Sequence, residues 1–292
     1  MSAEPTPRAT GLHVFFWTAL ALWPLRIGIG ELRVPAAVAG PLNILATVVF
    51  LAVPILALYR AAAHPWTGRL ATGFLLGGVA AHVIGVVVSR AVVREGLGAV
   101  ALEALAQTGL MFWTVGLGAL VALLIEDRNL IVPIAIFLAG FDAFLILTPT
   151  SLPQQIMQKR PEVFQSVAVQ IPGVGVGPQA FAGPADFFFL TMFFVALHKF
   201  GMKTAQTLRW IVPVLIAYLA VVIFLGGVRL GPISLGALPA LVPIGLTVLL
   251  VNRDQFKMKP DEKAATAVVG LIAIALASVG YMNAVRAARA PK

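Results

Sequence analysis

Cysteine is absent from the chain, which excludes a disulfide framework, a thiolate nucleophile and a zinc–thiolate centre. Charge is scarce as well: 11% of the 292 residues are Asp, Glu, Lys or Arg, whereas 60% are hydrophobic. No division into polar surface and apolar core fits that ratio in water, so the solvent around most of the chain is lipid. Lipid cannot satisfy bare peptide groups, which leaves helices or closed barrels as spanning structures. The apolar runs are continuous and lack the alternation of barrel strands, so the expected fold is an all-α membrane protein. Four histidines without ligand spacing give no metal site, and a Ser-His pair, a Gly-rich phosphate loop and a His-Glu-x-x-His pattern are missing. That argues against serine and zinc proteases, and no metal or cofactor is expected.

What is present is a series of apolar segments. A crossing needs roughly 20 apolar residues, and nine segments qualify, near 11 to 30, 36 to 59, 70 to 89, 99 to 125, 130 to 148, 181 to 199, 209 to 228, 232 to 251 and 264 to 283. The expectation is a polytopic bundle of about nine transmembrane helices. Residues 1 to 128 would form a four-helix scaffold, 129 to 251 a second group of four spans with the longest loop, and 252 to 292 an extra helix and tail. One Arg precedes the first apolar run, but that run contains Arg26 and many spans follow, so a cleaved signal peptide is not expected. Heavy use of Ala, Val, Leu, Gly and Arg points to a bacterial source and hence to the inner membrane.

Lys and Arg number 21 against 12 acids, a net charge of +9. They are scattered through short loops, a pattern that suits lipid headgroups and not nucleic acid. Assigned to the two sides of a nine-span chain they divide 11 to 10, so no orientation follows from them. Most connections are short, which makes consecutive helices antiparallel neighbours. Residues 149 to 180 differ. They form a longer polar stretch whose piece Ser166-Val167-Ala168-Val169-Gln170-Ile171 has the composition of a strand, followed by a Pro- and Gly-rich tail.

Ten of the twelve acids lie in tails, loops or helix ends. Asp142 and Asp186 instead interrupt the fifth and sixth apolar segments. A carboxylate in a span costs a few kcal/mol on insertion scales, so each is a functional candidate. Asp142 lies six residues before the exit at Thr148, and Asp186 five residues after the entry at Phe181. With ~1.5 Å rise per residue, both are expected roughly 8 to 9 Å below one membrane surface. Two carboxyls in contact at low dielectric share a proton, leaving one as base and the other as acid. Such a pair can hydrolyse a peptide bond without metal. Two other readings fit the same spacing: hydrogen bonds between helices, and a proton or cation relay in a transporter.

Phe141-Asp142, Gly183-Pro184-Ala185-Asp186 and a later Pro239-Ala240-Leu241 together resemble the motifs of the presenilin and signal peptide peptidase family of intramembrane aspartyl proteases. Its members carry one Asp after an aromatic, a second in Gly-x-Gly-Asp, and a later Pro-Ala-Leu. Here Phe141-Asp142 looks like the first element, Gly183-Pro184-Ala185-Asp186 like the second, and Pro239-Ala240-Leu241 matches the third. The resemblance covers roughly residues 129 to 251. It implies a presenilin-like fold, Asp142 and Asp186 as catalytic dyad, and a transmembrane helix of another protein as substrate. Phe141, Gly183, Ala185, Pro239, Ala240 and Leu241 would border the substrate, and Val167 and Val169 would pair with its unwound strand. Phe141 lacks the phenol of the family's Tyr, and Ala185 replaces a Gly. Four spans precede the first Asp and one follows Pro-Ala-Leu, where presenilins have five and none. A proton-coupled transporter and an inactive family relative stand as alternatives.

Other polar residues read more plainly. Arg26 and Glu103, near helix ends, are expected to snorkel to headgroups. His82 is expected to make an interhelical hydrogen bond, and His198 with Lys199 to mark an interface. The phenylalanines around the second Asp, Phe187, Phe188, Phe189, Phe193 and Phe194, are expected to be mostly lipid-facing and packing residues.

Overall fold

A computed structural model describes residues 10–92, 96–174, 180–225, 228–230, 233–235 and 239–289. The elements run α1 (Thr10–Glu31), α2 (Ala36–Ala62), α3 (Gly68–Ala91), α4 (Gly96–Leu124), α5 (Ile131–Leu147), α6 (Leu152–Lys159) and α7 (Pro161–Val167). Then follow β1 (Val169–Ile171), β2 (Ala180–Ala182), α8 (Pro184–Lys199), α9 (Thr204–Leu225), β3 (Val228–Leu230), β4 (Ile233–Leu235), α10 (Leu241–Asn252) and α11 (Pro260–Arg289). The molecule is a multi-pass helical membrane protein. Among the described residues six helical stretches are long and apolar enough to cross a bilayer: α1, α2, α3, α4, α5 with its flanking turns, and α11.

The expected segments at 181 to 199 and 232 to 251 are not continuous helices. Each opens with a strand, Ala180–Ala182 or Ile233–Leu235, and turns helical only at Pro184 or Leu241. Proline explains the first boundary, because its locked φ and missing N–H suit the first helical position and no later one. The resulting helices have 16 and 12 residues, about 24 and 18 Å against a ~30 Å hydrocarbon core. The segment at 99 to 125, by contrast, is one unbroken helix.

The chain divides into two compact units, Met1–Leu124 with Gln165–His198, and Ile125–Phe164 with Lys199–Lys292. This division does not follow the three expected segments, since residues 129 to 251 contribute to both.

In the first unit α3 and α4 pack through glycines spaced by seven: Gly78 and Gly85 on one helix, Gly109 and Gly116 on the other. A Cβ at Gly85 would fall 2.6 Å from the Ala106 nitrogen, and one at Gly116 would fall 2.7 Å from the Ala71 oxygen. Only glycine admits backbones that close, the usual device where lipid offers helices no hydrophobic drive to associate. His82 makes the expected interhelical bond there, its Nδ1 donating to the Ala106 oxygen at 2.8 Å. Helix α8 packs on α4 at Gly118, whose added Cβ would meet the Phe188 oxygen at 2.6 Å. Phe187, Phe193 and Phe194 are fully buried, so they are core and not lipid-facing.

In the second unit α5 lies between α10 and α11. Gly140 faces Ala273, where an added Cβ would sit 2.5 Å from the alanine methyl; at Gly245 an added Cβ would sit 3.1 Å from the Ala135 oxygen. The Asn252 side chain joins α10 to α9: its Nδ2 donates to Thr207 Oγ1, and its Oδ1 accepts from the Lys203 N–H, both at 2.9 Å. Helix α11 starts with Pro260, Asp261 and Glu262 and ends with Arg286 and Arg289, which complements its dipole at both ends.

Candidate active site: two acids at two helix starts

Asp142 lies near the end of α5, and its Oδ2 accepts a hydrogen bond from the Leu241 N–H at 2.9 Å. Leu241 is the first residue of α10, and its N-cap, Ala240, has no side chain able to receive an orphan N–H. Asp142 therefore caps α10 from another helix. The bond satisfies an N–H that α10 itself leaves without a helical acceptor. Pro239 contributes no N–H, and its carbonyl accepts from the Tyr218 hydroxyl of α9 at 2.8 Å. Asp142 is half-buried, and among the described residues its Oδ1 has no hydrogen-bond partner. The Pro-Ala-Leu segment and the first acid, 99 residues apart, thus meet within one unit.

Asp186 is the third residue of α8. Its Oδ2 accepts from the Gly183 N–H at 3.1 Å, while its own N–H donates to the Gly183 oxygen at 3.1 Å. This is the carboxylate half of a capping box, with proline at the first helical position and, at the cap, a glycine whose backbone oxygen replaces the missing side-chain acceptor. Gly183-Pro184-Ala185-Asp186 is therefore a helix start, and the expected depth of Asp186, counted from Phe181, is replaced by a place in the first turn, about 3 Å along the helix from Pro184. Asp142 and Asp186 belong to different compact units. Ala185 is exposed. Phe141 is 38% exposed and stacks on Phe137 at 5.8 Å.

The expected strand at 166 to 171 is shorter. Val167 ends α7 and is exposed, whereas Val169 opens β1 and is buried. β1 pairs antiparallel with β2, Gln170 opposite Phe181. The Gln170 backbone turns away from β2, because its N–H donates to Gln107 Oε1 at 3.1 Å and its carbonyl accepts from the Arg26 guanidinium at 2.5 Å. Gln107 Nε2 also donates to the Ala168 oxygen at 3.0 Å. One amide side chain thereby fills two positions that an incoming strand would use. Arg26 does not snorkel as expected: it holds β1 and lies 5.7 Å from the Phe50 ring centre. Glu103 is exposed. Lys199 Nζ donates to the Ile125 oxygen at 2.6 Å, and the His198 ring lies 5.5 Å from that of Tyr59.

Sequence reasoning missed Gln107, Tyr218 and Asn252. A glutamine, a tyrosine and an asparagine inside apolar helices were a visible signal, since buried polar groups need partners. The described residues contain no cluster of three or more His, Asp or Glu fit to hold a metal. No family model, curated protein or solved structure matches the chain.

Proposed function

We propose that this chain is an intramembrane aspartyl endopeptidase, a presenilin-like enzyme of a bacterial inner membrane that cleaves transmembrane segments of other proteins. One observation carries the reading: a carboxylate in an apolar helix is hydrogen-bonded to the backbone of Pro239-Ala240-Leu241, so two of the three motifs share one place. Asp186 is the second acid, and hydrolysis requires both carboxyls to reach one scissile bond.

One ionised Asp takes a proton from water while the hydroxyl adds to the peptide carbonyl carbon, and the protonated Asp gives its proton to the carbonyl oxygen. In the resulting gem-diol the first Asp, now protonated, passes its proton to the nitrogen as the C–N bond breaks. The second recovers a proton from a diol hydroxyl as the carboxyl product forms. One water is consumed, and the dyad returns to one proton. The short α10, with Pro239 before it and β4 upstream, leaves extended chain where a bilayer-long helix was expected. Nine crossings, the full presenilin count, enter this reading through α8, α9 and α10.

The test is incubation of the purified chain in bilayers with a transmembrane peptide, read by mass spectrometry. The expected result is two products whose masses sum to substrate plus one water, suppressed by a hydroxyl-bearing transition-state mimic. Solute-dependent proton uptake with an intact peptide would replace the protease by a transporter.

A further inference from the structure

Between the start of α9 and the end of α10 runs a groove of about 520 Å³. Trp210 and Val214 from α9 and Leu250 and Val251 from α10 give it an apolar lining, to which Gln206 and Thr247 add two neutral polar side chains. Trp210 is 56% exposed and Leu250 63%, so the groove opens outward with large apolar surfaces uncovered. Its rim is charged. Lys203, Arg253 and Asp254 stand there together.

The rim charges are unequal. Lys203 Nζ holds both Asp254 oxygens at 2.7 and 2.8 Å, which neutralises that pair. Arg253 makes no hydrogen bond among the described residues, and although its charge also acts on the Asp254 carboxyl, two cations against one acid leave the rim with a net positive charge. Lys257 and Lys259 follow within six residues, and Arg209 lies one residue before Trp210. An apolar wall with an exposed indole, beside a rim of two cations and one acid, matches an amphiphile with an anionic head. In a bilayer the tryptophan belongs at the headgroup boundary and the cations just beyond it.

We propose that this groove is a binding site for an anionic phospholipid, the phosphate seated at Arg253 and an acyl chain along Val214, Leu250 and Val251. The occupant is a lipid and not a soluble anion, because Trp210 and Leu250 leave large apolar surface uncovered beside the charges, where a free phosphate needs only a polar cup. Neighbouring transmembrane protein is disfavoured by the charged end. The site is independent of the proteolytic reading.

Native mass spectrometry of the full chain released from nanodiscs of phosphatidylglycerol, or of phosphatidylcholine, tests the proposal. Wild type is expected to retain phosphatidylglycerol in preference to phosphatidylcholine. Arg253→Gln should lower that retention about fivefold, the weight of one interfacial cation. Asp254→Asn, which removes the competing negative charge, should raise it. Equal retention of the two lipids, an unchanged Arg253→Gln, or full displacement by inorganic phosphate would each overturn the proposal, the last by showing a free-anion site.

Discussion

The starts of α8 and α10 each follow a three-residue strand, and each is capped by an aspartate, but the caps come from different distances. At α8 the acid sits three residues inside its own helix and closes a local loop with Gly183. At α10 the cap arrives from α5, 99 residues earlier in the chain. A local cap forms as its helix forms; a distant one exists only when α5, α10 and α11 are already packed. The α10 start therefore reports on the tertiary structure of its unit, and the α8 start mostly on its own sequence.

Substitutions that attack the packing should break the distant cap first and most severely. Gly140→Val places side-chain atoms into Ala273 and should cost about 3 kcal/mol or prevent folding, seen as lost yield or a much lower Tm in micelles. Gly270→Ala, whose added methyl meets only Ile136 at 4.0 Å, should be nearly neutral. Next in size is the direct comparison. Asp142→Ala strands the Leu241 N–H in a packed unit and should cost about 2 kcal/mol, whereas Asp186→Ala removes a local cap worth about 1 kcal/mol. Equal losses in thermal unfolding would remove the distinction.

The same contrast explains what could be read in advance. Four of the six long helices coincide with expected apolar segments to within about three residues, because hydropathy is a local property; α11 runs Pro260–Arg289 where 264 to 283 was expected, and the stretch Arg128–Ile156 reaches further still since it takes in the turns on either side of α5 and the start of α6. The juxtaposition of Asp142 with Leu241 was accessible only through the motif resemblance, since nothing in spacing joins residues so far apart. Arg26 was misread for that reason: its partner, Gln170, lies 144 residues away. Gly183-Pro184 was a legible helix start, passed over because the apolar run continued through it. The seven-residue glycine spacing of α3 and α4 was equally visible and predicts a close antiparallel pair.

A smaller effect concerns β1. Gln107→Leu removes the partner of both Ala168 and Gln170 and should speed amide exchange at Gln170, with a cost of about 2 kcal/mol in the first unit. Exchange left unchanged would mean that pairing with β2 alone holds the strand. The smallest effect is at the surface. The Lys203 ammonium, bonded to Asp254, holds that carboxyl below the ordinary carboxylate range. Its folded value is thus below its unfolded one, so the stabilisation is complete above about pH 4 and is lost as pH falls through the folded value. Between about pH 6 and about pH 3, wild type should lose slightly more Tm than Asp254→Asn, by little because the pair is exposed.

The central claim is that both acids do chemistry beyond capping, and asparagine separates the two roles because it retains an oxygen able to accept the cap bond. Cleavage of a transmembrane peptide and thermal unfolding should be measured side by side for wild type, Asp142→Asn and Asp186→Asn. The account predicts a loss of turnover of about 10²- to 10⁴-fold in each variant with Tm nearly unchanged. Cleavage that persists in either variant at wild-type rate would contradict it and reduce that aspartate to a helix cap.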